Sequence, residues 1–371
     1  MNIFRGRCTE RCRMESTMRR HVLNSAVAGS LVLAHAISYA HAYDTEQIPT
    51  ERGNVPLYLP SDIDPGNDLP LVISLHGFTG NGTEHENYFN LRSQIDDQDF
   101  MLCVPNGLRN SQGDRFWNGT NFCCDFEGQS TDDSGFLRGL IEQVIADHPV
   151  DLDSIHVVGH SNGGFMSYRM ACDHADLIAS IASLAGATFD DPSDCEPSEP
   201  VHVLQIHGTA DDVIAYDGSC IIPFFFCHPG AEQSVSTWSQ YNQCDGEFKD
   251  GGSLDLVNGL SGSETRRTLV TEGCSDRGTA ELWSINGGDH GPSFNANFRR
   301  ELVEWLLIHR RSSPDACPTD LDGDDTVDGS DLSLLLAKWG TATEAYDLDG
   351  DGTVGASDLG LLFATWGTCP G

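Results

Sequence analysis

The stretch "VVGHSNGGFMSYRM", Val157–Met170, passes from β-branched residues through glycines into a run of helical spacing, with a serine at the bend. A strand ahead and a helix behind would set Ser161 on a sharp turn from which its hydroxyl projects, the arrangement an activated nucleophile requires. Gly159, Gly163 and Gly164 would let strand and helix close around that turn. Taken alone, the pattern Gly-x-Ser-x-Gly is weak, because any tight strand-to-helix turn uses the same small residues. Its weight comes from what the rest of the chain supplies.

Around it, from Val55 to about Arg311, short apolar runs alternate with longer amphipathic ones. Residues 71–76, 100–104, 155–159, 180–185, 201–207 and 281–285 read as strands, and their continuous apolar character suits strands covered on both faces. Residues 134–148, 163–172, 232–241 and 294–310 have helical spacing. The alternation predicts an α/β fold with a doubly wound, mainly parallel sheet, whose site lies beyond the carboxyl ends of the strands.

A serine hydroxyl attacks only when a base takes its proton, and the base needs a carboxylate to orient it. In this fold class the partners follow in the order serine, acid, histidine, each after a later strand. "QIHGTADDVIAY", Gln205–Tyr216, offers Asp211, with Asp212 as rival. Of the later histidines, His228 sits between cysteines and His309 on the last helix, whereas His290 follows a strand in the glycine-rich loop "INGGDHGPSF". His290 is therefore the candidate base. For a developing oxyanion, the backbone N–H of Asn162 is one candidate donor. The other comes from "LHGFTGNG", Leu75–Gly82, where Phe78 is chosen and Thr79 is the alternative.

Lys and Arg number 21 against 56 Asp and Glu, for a formal charge of −35. A surface this acidic repels phosphate backbones and anionic lipid, so nucleic acid and membrane partners are not expected. Residues 1–42 carry six Arg before the short apolar run Ala26–Ala40, which ends in the small-x-small triplet Ala40-His41-Ala42. This pattern predicts a secretory signal peptide cleaved after Ala42, and without it the charge is −39. An exported chain with this many cysteines should carry disulfides. The economical local pairs are Cys172–Cys195, Cys220–Cys227, Cys244–Cys274 and Cys317–Cys369, with Cys103, Cys123 and Cys124 left open.

The expected domain, residues 43–311, is followed by a linker, 312–316, and a module, 317–371. Within that module "DLDGDDTVDGSDLSLLLAKWG", Asp320–Gly340, recurs 27 residues later as "DLDGDGTVGASDLGLLFATWG", Asp347–Gly367. Asp320, Asp322, Asp324, Thr326, Asp328 and Asp331 fall at positions 1, 3, 5, 7, 9 and 12 of a calcium loop. Asp347, Asp349, Asp351, Thr353 and Asp358 repeat the set with Gly355 at position 9. Hard oxygen donors at this spacing predict calcium, although Asp at position 12 and Gly at position 4 differ from the helix-loop-helix consensus. The pair resembles a dockerin, a small all-α module with tandem EF-hand-like loops. That resemblance implies a cohesin-like scaffold as partner.

In the large domain, "LHGFTGNG", "VPNG" at Val104–Gly107, "FWNGT" before Cys123-Cys124, "DDSGFL" at Asp132–Leu137, "GHSNGGFMSYRMAC", "HGTADDVIAY" and "GGDH" together resemble a family of α/β-hydrolases. These are the secreted esterases grouped as polyhydroxybutyrate depolymerase-like and feruloyl or acetylxylan esterases. The resemblance covers roughly residues 50–310 and implies an ester substrate on plant polysaccharide, no catalytic cofactor, and Trp117 as a cleft residue. A polyester depolymerase is the alternative with the same chemistry, and a non-catalytic adhesin on a dead hydrolase scaffold is the alternative of another class. Gly291-Pro292-Ser293 after His290 departs from the family's aromatic-proline segment. Finally, "CIIPFFFC", Cys220–Cys227, is too apolar for an ordinary loop. Phe224 and Phe225 are the residues expected to face an aromatic acyl group or a polymer surface, unless the segment packs down as a satellite core.

Overall fold

The computed structural model describes residues 43–369 apart from 64–66, 223–224, 276–277, 312–316, 323–325, 342 and 344–345. The expected signal peptide, its cleavage point and the linker therefore lie outside the described residues. In chain order the first half holds β1 (Tyr43–Thr50), β2 (Gly53–Pro60), β3 (Leu69–Leu75), α1 (Gly82–Phe89), α2 (Ile95–Gln98), β4 (Met101–Cys103), β5 (Leu108–Arg109), β6 (Arg115–Phe116), α3 (Asp133–Asp147), β7 (Val150–His160), α4 (Asn162–Asp173) and β8 (Ser180–Leu184). The second half continues with β9 (His202–Gly208), β10 (Gly218–Ile222), β11 (Phe225–Pro229), α5 (Ala231–Tyr241), β12 (Lys249–Leu254), β13 (Thr265–Val270), β14 (Ala280–Ile285) and α6 (Ala296–Ile308). The tail adds β15 (Thr326–Val327), α7 (Gly329–Ala337), α8 (Ala356–Ala364) and β16 (Gly367–Thr368).

One ten-stranded sheet runs in the order β1-β2-β4-β3-β7-β8-β9-β14-β13-β12. Its six central strands, from β4 to β14, are mutually parallel, and each edge is extended by two antiparallel strands. Both faces of the centre are buried. Leu71, Ile73 and Val157 point to one core with α3 and α4, while Val72, Val158 and Leu204 point to the other with α1 and α6. The chain steps from β3 to β4 on one side and returns to β7 on the other, so the strand order reverses between β3 and β7. A crevice opens beyond the carboxyl ends of strands at such a reversal, and β3 and β7 end at His76 and Ser161.

The expected central strands and helices are present, their ends displaced by at most a few residues. The four local disulfides form, and Cys123 pairs with Cys124, leaving Cys103 buried as the free thiol among the described residues. The tail departs from an all-α module: β15 and β16 pair antiparallel, tying the first repeat to the end of the second.

Candidate active site

The serine turn is built by close approach. A Cβ on Gly163 would stand 2.2 Å from the Leu75 carbonyl oxygen at the end of β3, and one on Gly159 2.2 Å from the Gly163 carbonyl. Only glycine lets α4 start against the sheet here. Ser161 itself adopts φ 55° and ψ −118°, a region that costs a non-glycine residue roughly 1–3 kcal/mol. Its N–H donates to the Leu184 carbonyl at 2.7 Å, and its carbonyl accepts from Phe165, so the strain is held from both sides.

The sheet brings Ser161, His290 and Asp211 together from the ends of β7, β14 and β9. His290 Nε2 lies 2.9 Å from Ser161 Oγ, and His290 Nδ1 lies 2.8 Å from Asp211 Oδ2. The other oxygen, Asp211 Oδ1, accepts the N–H groups of Val213 and Ile214, each at 2.9 Å. Burial alone would raise the Asp211 pKa. Hydrogen bonds from His207, His290 and those two amides overcome it and hold the carboxyl well below the usual carboxylate range. Asp212, the rival acid, is exposed. His228 is buried on β11, where it meets Ser219, and His309 lies against Trp305 and His202, so neither competes with His290.

The acid and base loops are stitched together: Ala210 N–H donates to Gly288 O at 2.9 Å, and Gly287 N–H to Thr209 Oγ1 at 2.9 Å. The carbonyl of His290 accepts from His160 Nε2 at 2.8 Å, and that of Pro292 from the Tyr88 hydroxyl at 3.0 Å. Burial, with His290 adding to it, pushes the His160 pKa down to about 4, so it stays a neutral donor.

Of the two candidate amides after β3, Thr79 N–H is committed to Arg115 O at 2.8 Å, which leaves Phe78. Among the described hydrogen bonds no protein acceptor takes the N–H of Phe78 or of Asn162. Trp117 requires a correction. It is fully buried, donates its indole N–H to the His76 carbonyl at 3.1 Å, and exchanges two backbone bonds with the Asn162 side chain. It braces the loop after β3 from within the core.

Phe224 lies outside the described residues, and of Phe225 only the backbone is described. Their neighbours Ile221 and Phe226 are 65% and 59% exposed on the β10–β11 hairpin. With Phe122 and the 64% exposed Phe126 they line a cavity of about 500 Å³, and Phe126 packs edge-on against Phe78 with centroids 5.5 Å apart. The sequence reading missed Phe126, and also His160 and His207, which sit directly before the serine and at the end of β9. Position relative to the expected strands was the available signal for the two histidines.

In the tail, carboxylate oxygens of Asp320, Asp322 and Asp331 lie within 4.8 Å of one another, as do those of Asp347, Asp349 and Asp351. Asp324 lies outside the described residues. Asp328 is not in the cluster, and its carboxylate caps α7 by accepting from Ser330 N–H at 2.7 Å. Asp358 likewise takes backbone N–H groups of Asp349 and Gly355.

An imidazole poised between a hydroxyl and a buried carboxylate, on a strand–turn–helix elbow of a mainly parallel sheet, defines the class: the protein is a serine-hydrolase enzyme of α/β-hydrolase fold. Residues 70–214 match the family described as alpha/beta hydrolase fold. Among characterised proteins the chain is 28% identical over 245 residues to Feruloyl esterase B of Piromyces equi, covering 62% of this chain and 41% of that one. It is 30% identical over 169 residues to Feruloyl esterase C of Emericella nidulans, covering 44% and 56%. The chain thus spans about half the length of the curated relatives it matches. Superposition on the acetyl xylan esterase from Aspergillus awamori covers 71% of this chain and 98% of that one, at TM-score 0.48 and 13% identity.

Proposed function

We propose that the protein is a secreted serine esterase that cleaves carboxylic esters carried on plant polysaccharide, with Ser161 as nucleophile, His290 as base and Asp211 as the acid that orients it. The observation that carries this reading is the unbroken contact from Ser161 Oγ through His290 to Asp211 on a strained elbow. Ser161 Oγ attacks the ester carbonyl carbon as His290 Nε2 takes its proton, and the Phe78 and Asn162 N–H groups receive the oxyanion. Collapse expels the alcohol, which takes the proton from His290. A water, deprotonated by His290, then attacks the acyl-enzyme, and its collapse releases the acid and frees Ser161.

The aromatic cavity beside Phe78 favours a bulky, aromatic acyl group over acetate, since large exposed apolar side chains gathered on one cavity mark a binding surface. The five disulfides among the described residues fit an oxidising compartment outside the cell. Initial rates on methyl ferulate, acetylated xylan and polyhydroxybutyrate, measured side by side with Ser161→Ala as control, test the reading. The feruloyl ester should be turned over fastest. Preference for the polyester would install the depolymerase alternative, and no Ser161-dependent turnover on any of the three would leave the adhesin.

The tail is read as a calcium-binding docking module. Asp320, Asp322 and Asp331 in one loop and Asp347, Asp349 and Asp351 in the other would hold the ions, which supply charge compensation to converging carboxylates and take no part in hydrolysis. A protein partner of cohesin type fits the paired apolar side chains that each repeat leaves exposed, Leu336 and Trp339 in the first and Phe363 and Trp366 at the same offsets in the second.

A further inference from the structure

Behind Asp211 lies a second imidazole. His207, near the end of β9 and 1% exposed, places Nε2 2.8 Å from the Ile214 carbonyl and 3.3 Å from Asp211 Oδ2, the oxygen that His290 also faces. The carboxylate is thus flanked by two histidines, one reaching the serine and one reaching into the core. A histidine beside a carboxylate is ordinarily read as an ion pair, and a cation there would compete with His290 for the charge of Asp211. The hydrogen bonds on its far side decide otherwise.

His207 Nδ1 lies 3.0 Å from Gln205 Nε2. The orientation of that amide is fixed twice over. Gln205 Nε2 also donates to the Gly186 carbonyl at 2.8 Å, and Gln205 Oε1 accepts from the Tyr168 hydroxyl at 2.8 Å. Turning the amide over would set its oxygen against the Gly186 carbonyl, two acceptors face to face in a buried site. Gln205 therefore donates to Nδ1, Nδ1 carries no proton, and the single proton of His207 is on Nε2. The ring is a neutral donor. Its N–H holds the Ile214 carbonyl, which fixes the 211–214 turn whose amides grip Oδ1, and it presents only a dipole to Oδ2.

We propose that His207 is a positioning residue of the reaction, kept neutral by Gln205, which locks the turn carrying Asp211 while leaving the negative charge of that carboxylate to His290. The proposal rests on the reading of Ser161, His290 and Asp211 as the triad. The other titratable groups facing His207 are Tyr216, whose ring centroid is 5.7 Å away and edge-on, His228 from the β10–β11 hairpin, and Tyr168 from α4 through Gln205. His290 faces Asp211, Ser161 and the neutral His160. None of these supplies a cation that would substitute for a charged His207.

The test uses the full chain, with active serines counted by a fluorophosphonate so that turnover refers to competent sites. Gln205→Glu replaces the donor by an acceptor and drives a proton onto Nδ1, making His207 a cation 3.3 Å from Asp211 Oδ2. Turnover per titrated site should fall by about tenfold or more with KM little changed, and the acid limb of kcat/KM should move to lower pH because the imidazolium of His290 loses support. His207→Gln, which keeps an N–H for Ile214, should retain most of the turnover that His207→Leu loses. An unchanged limb and unchanged turnover in Gln205→Glu would overturn the proposal. Should that variant not fold, equal turnover per site and equal pH profiles for His207→Gln and His207→Leu would overturn it instead. Activity persisting in Ser161→Ala would indict the triad reading itself and is read separately.

Discussion

Lowering the pH from 7 to 5 should remove a large part of the stability of the hydrolase domain, through histidines far from one another in the sequence. His76, His156, His160 and His202 are enclosed by the sheet and its flanking loops. Burial pushes their pKa values down to about 4, 3, 4 and 3. Each is hydrogen-bonded in its neutral form. His156, for example, sits between the hydroxyls of Ser154 and Ser180, at 2.9 and 2.8 Å. A folded pKa below the unfolded value of about 6.5 means that the unfolded chain binds more protons in between. The stability each contributes is therefore full above pH 6.5 and lost as the pH falls toward the folded value. At pH 5 the loss is about 2 kcal/mol per histidine, or about 8 kcal/mol for four.

Glu86 works in the opposite direction. Burial raises its pKa to about 7 against the bonds from Arg92, so its protonation between pH 7 and 5 returns about 2 kcal/mol. The net loss of about 6 kcal/mol is comparable to the whole stability of many domains and corresponds to a fall in melting temperature on the order of 10 °C. Scanning calorimetry at pH 7, 6 and 5 in buffers of different ionisation enthalpy measures both the shift and the protons taken up on unfolding, about three at pH 5. His156→Gln should flatten the dependence by about a third. A melting temperature that is level or rising toward pH 5 would refute the reasoning, because it would mean that these rings are already protonated in the native protein.

Three further outcomes follow from the same geometry. Ser161→Gly should abolish ester hydrolysis yet raise stability by about 1 kcal/mol in denaturant unfolding, because glycine occupies φ 55° without strain. A loss of stability would show that the elbow is not strained. Phe126→Ser with Phe226→Ser should raise KM for a feruloyl ester about tenfold more than for an acetyl ester, since both rings line the same cavity; equal effects would remove the cavity from the substrate path. Chelation should speed proteolysis within residues 317–369 while hydrolysis of a small soluble ester is unchanged, and parallel loss of both would contradict a tail that is independent of the site.

The parts legible in the sequence were those whose burial is two-sided. β3, β7, β8, β9 and β14 are near-continuous apolar runs because helices cover both faces, so composition alone located them. The edges left no such trace. β12 reads "KDGGSL" and is mostly exposed, and β1 reads "YDTEQIPT" with one buried residue, so their strand character comes from pairing with a neighbour. The short helix α1 is polar and owes its start to Asn81, whose side chain accepts from Glu84 N–H. In the site, chain order found Ser161, Asp211 and His290, but adjacent aspartates are indistinguishable until the turn is built. Asp211 wins because its carboxylate faces two amides of its own turn while Asp212 points to water. Trp117 was placed in the cleft by the family resemblance alone, whereas its buried indole N–H needed a carbonyl and found that of His76.

Three loops converge on the reacting serine, and each is tethered by a neutral imidazole donating to a backbone carbonyl at 2.8 Å. His76 holds Gly77 in the oxyanion loop, His207 holds Ile214 behind the acid, and His160 holds the carbonyl of His290 itself. His76 must be the Nδ1–H form, because its Nε2 accepts from Gly107 N–H at 3.0 Å. A neutral imidazole suits this task better than an asparagine or a lysine. It is rigid, it donates on one side while accepting on the other, and it brings no charge that would compete for Asp211 or attract the oxyanion away from Phe78 and Asn162. The same choice fixes where the site fails. Protonating His76 turns an accepting nitrogen into a donor, protonating either His76 or His160 leaves a buried charge, and with both pKa values near 4 this happens only where His156 and His202 are also nearing protonation. The loop after β3 and the loop carrying His290 should therefore hold their geometry down to the pH at which the fold itself gives way, so loss of turnover above that pH does not report a loosened site.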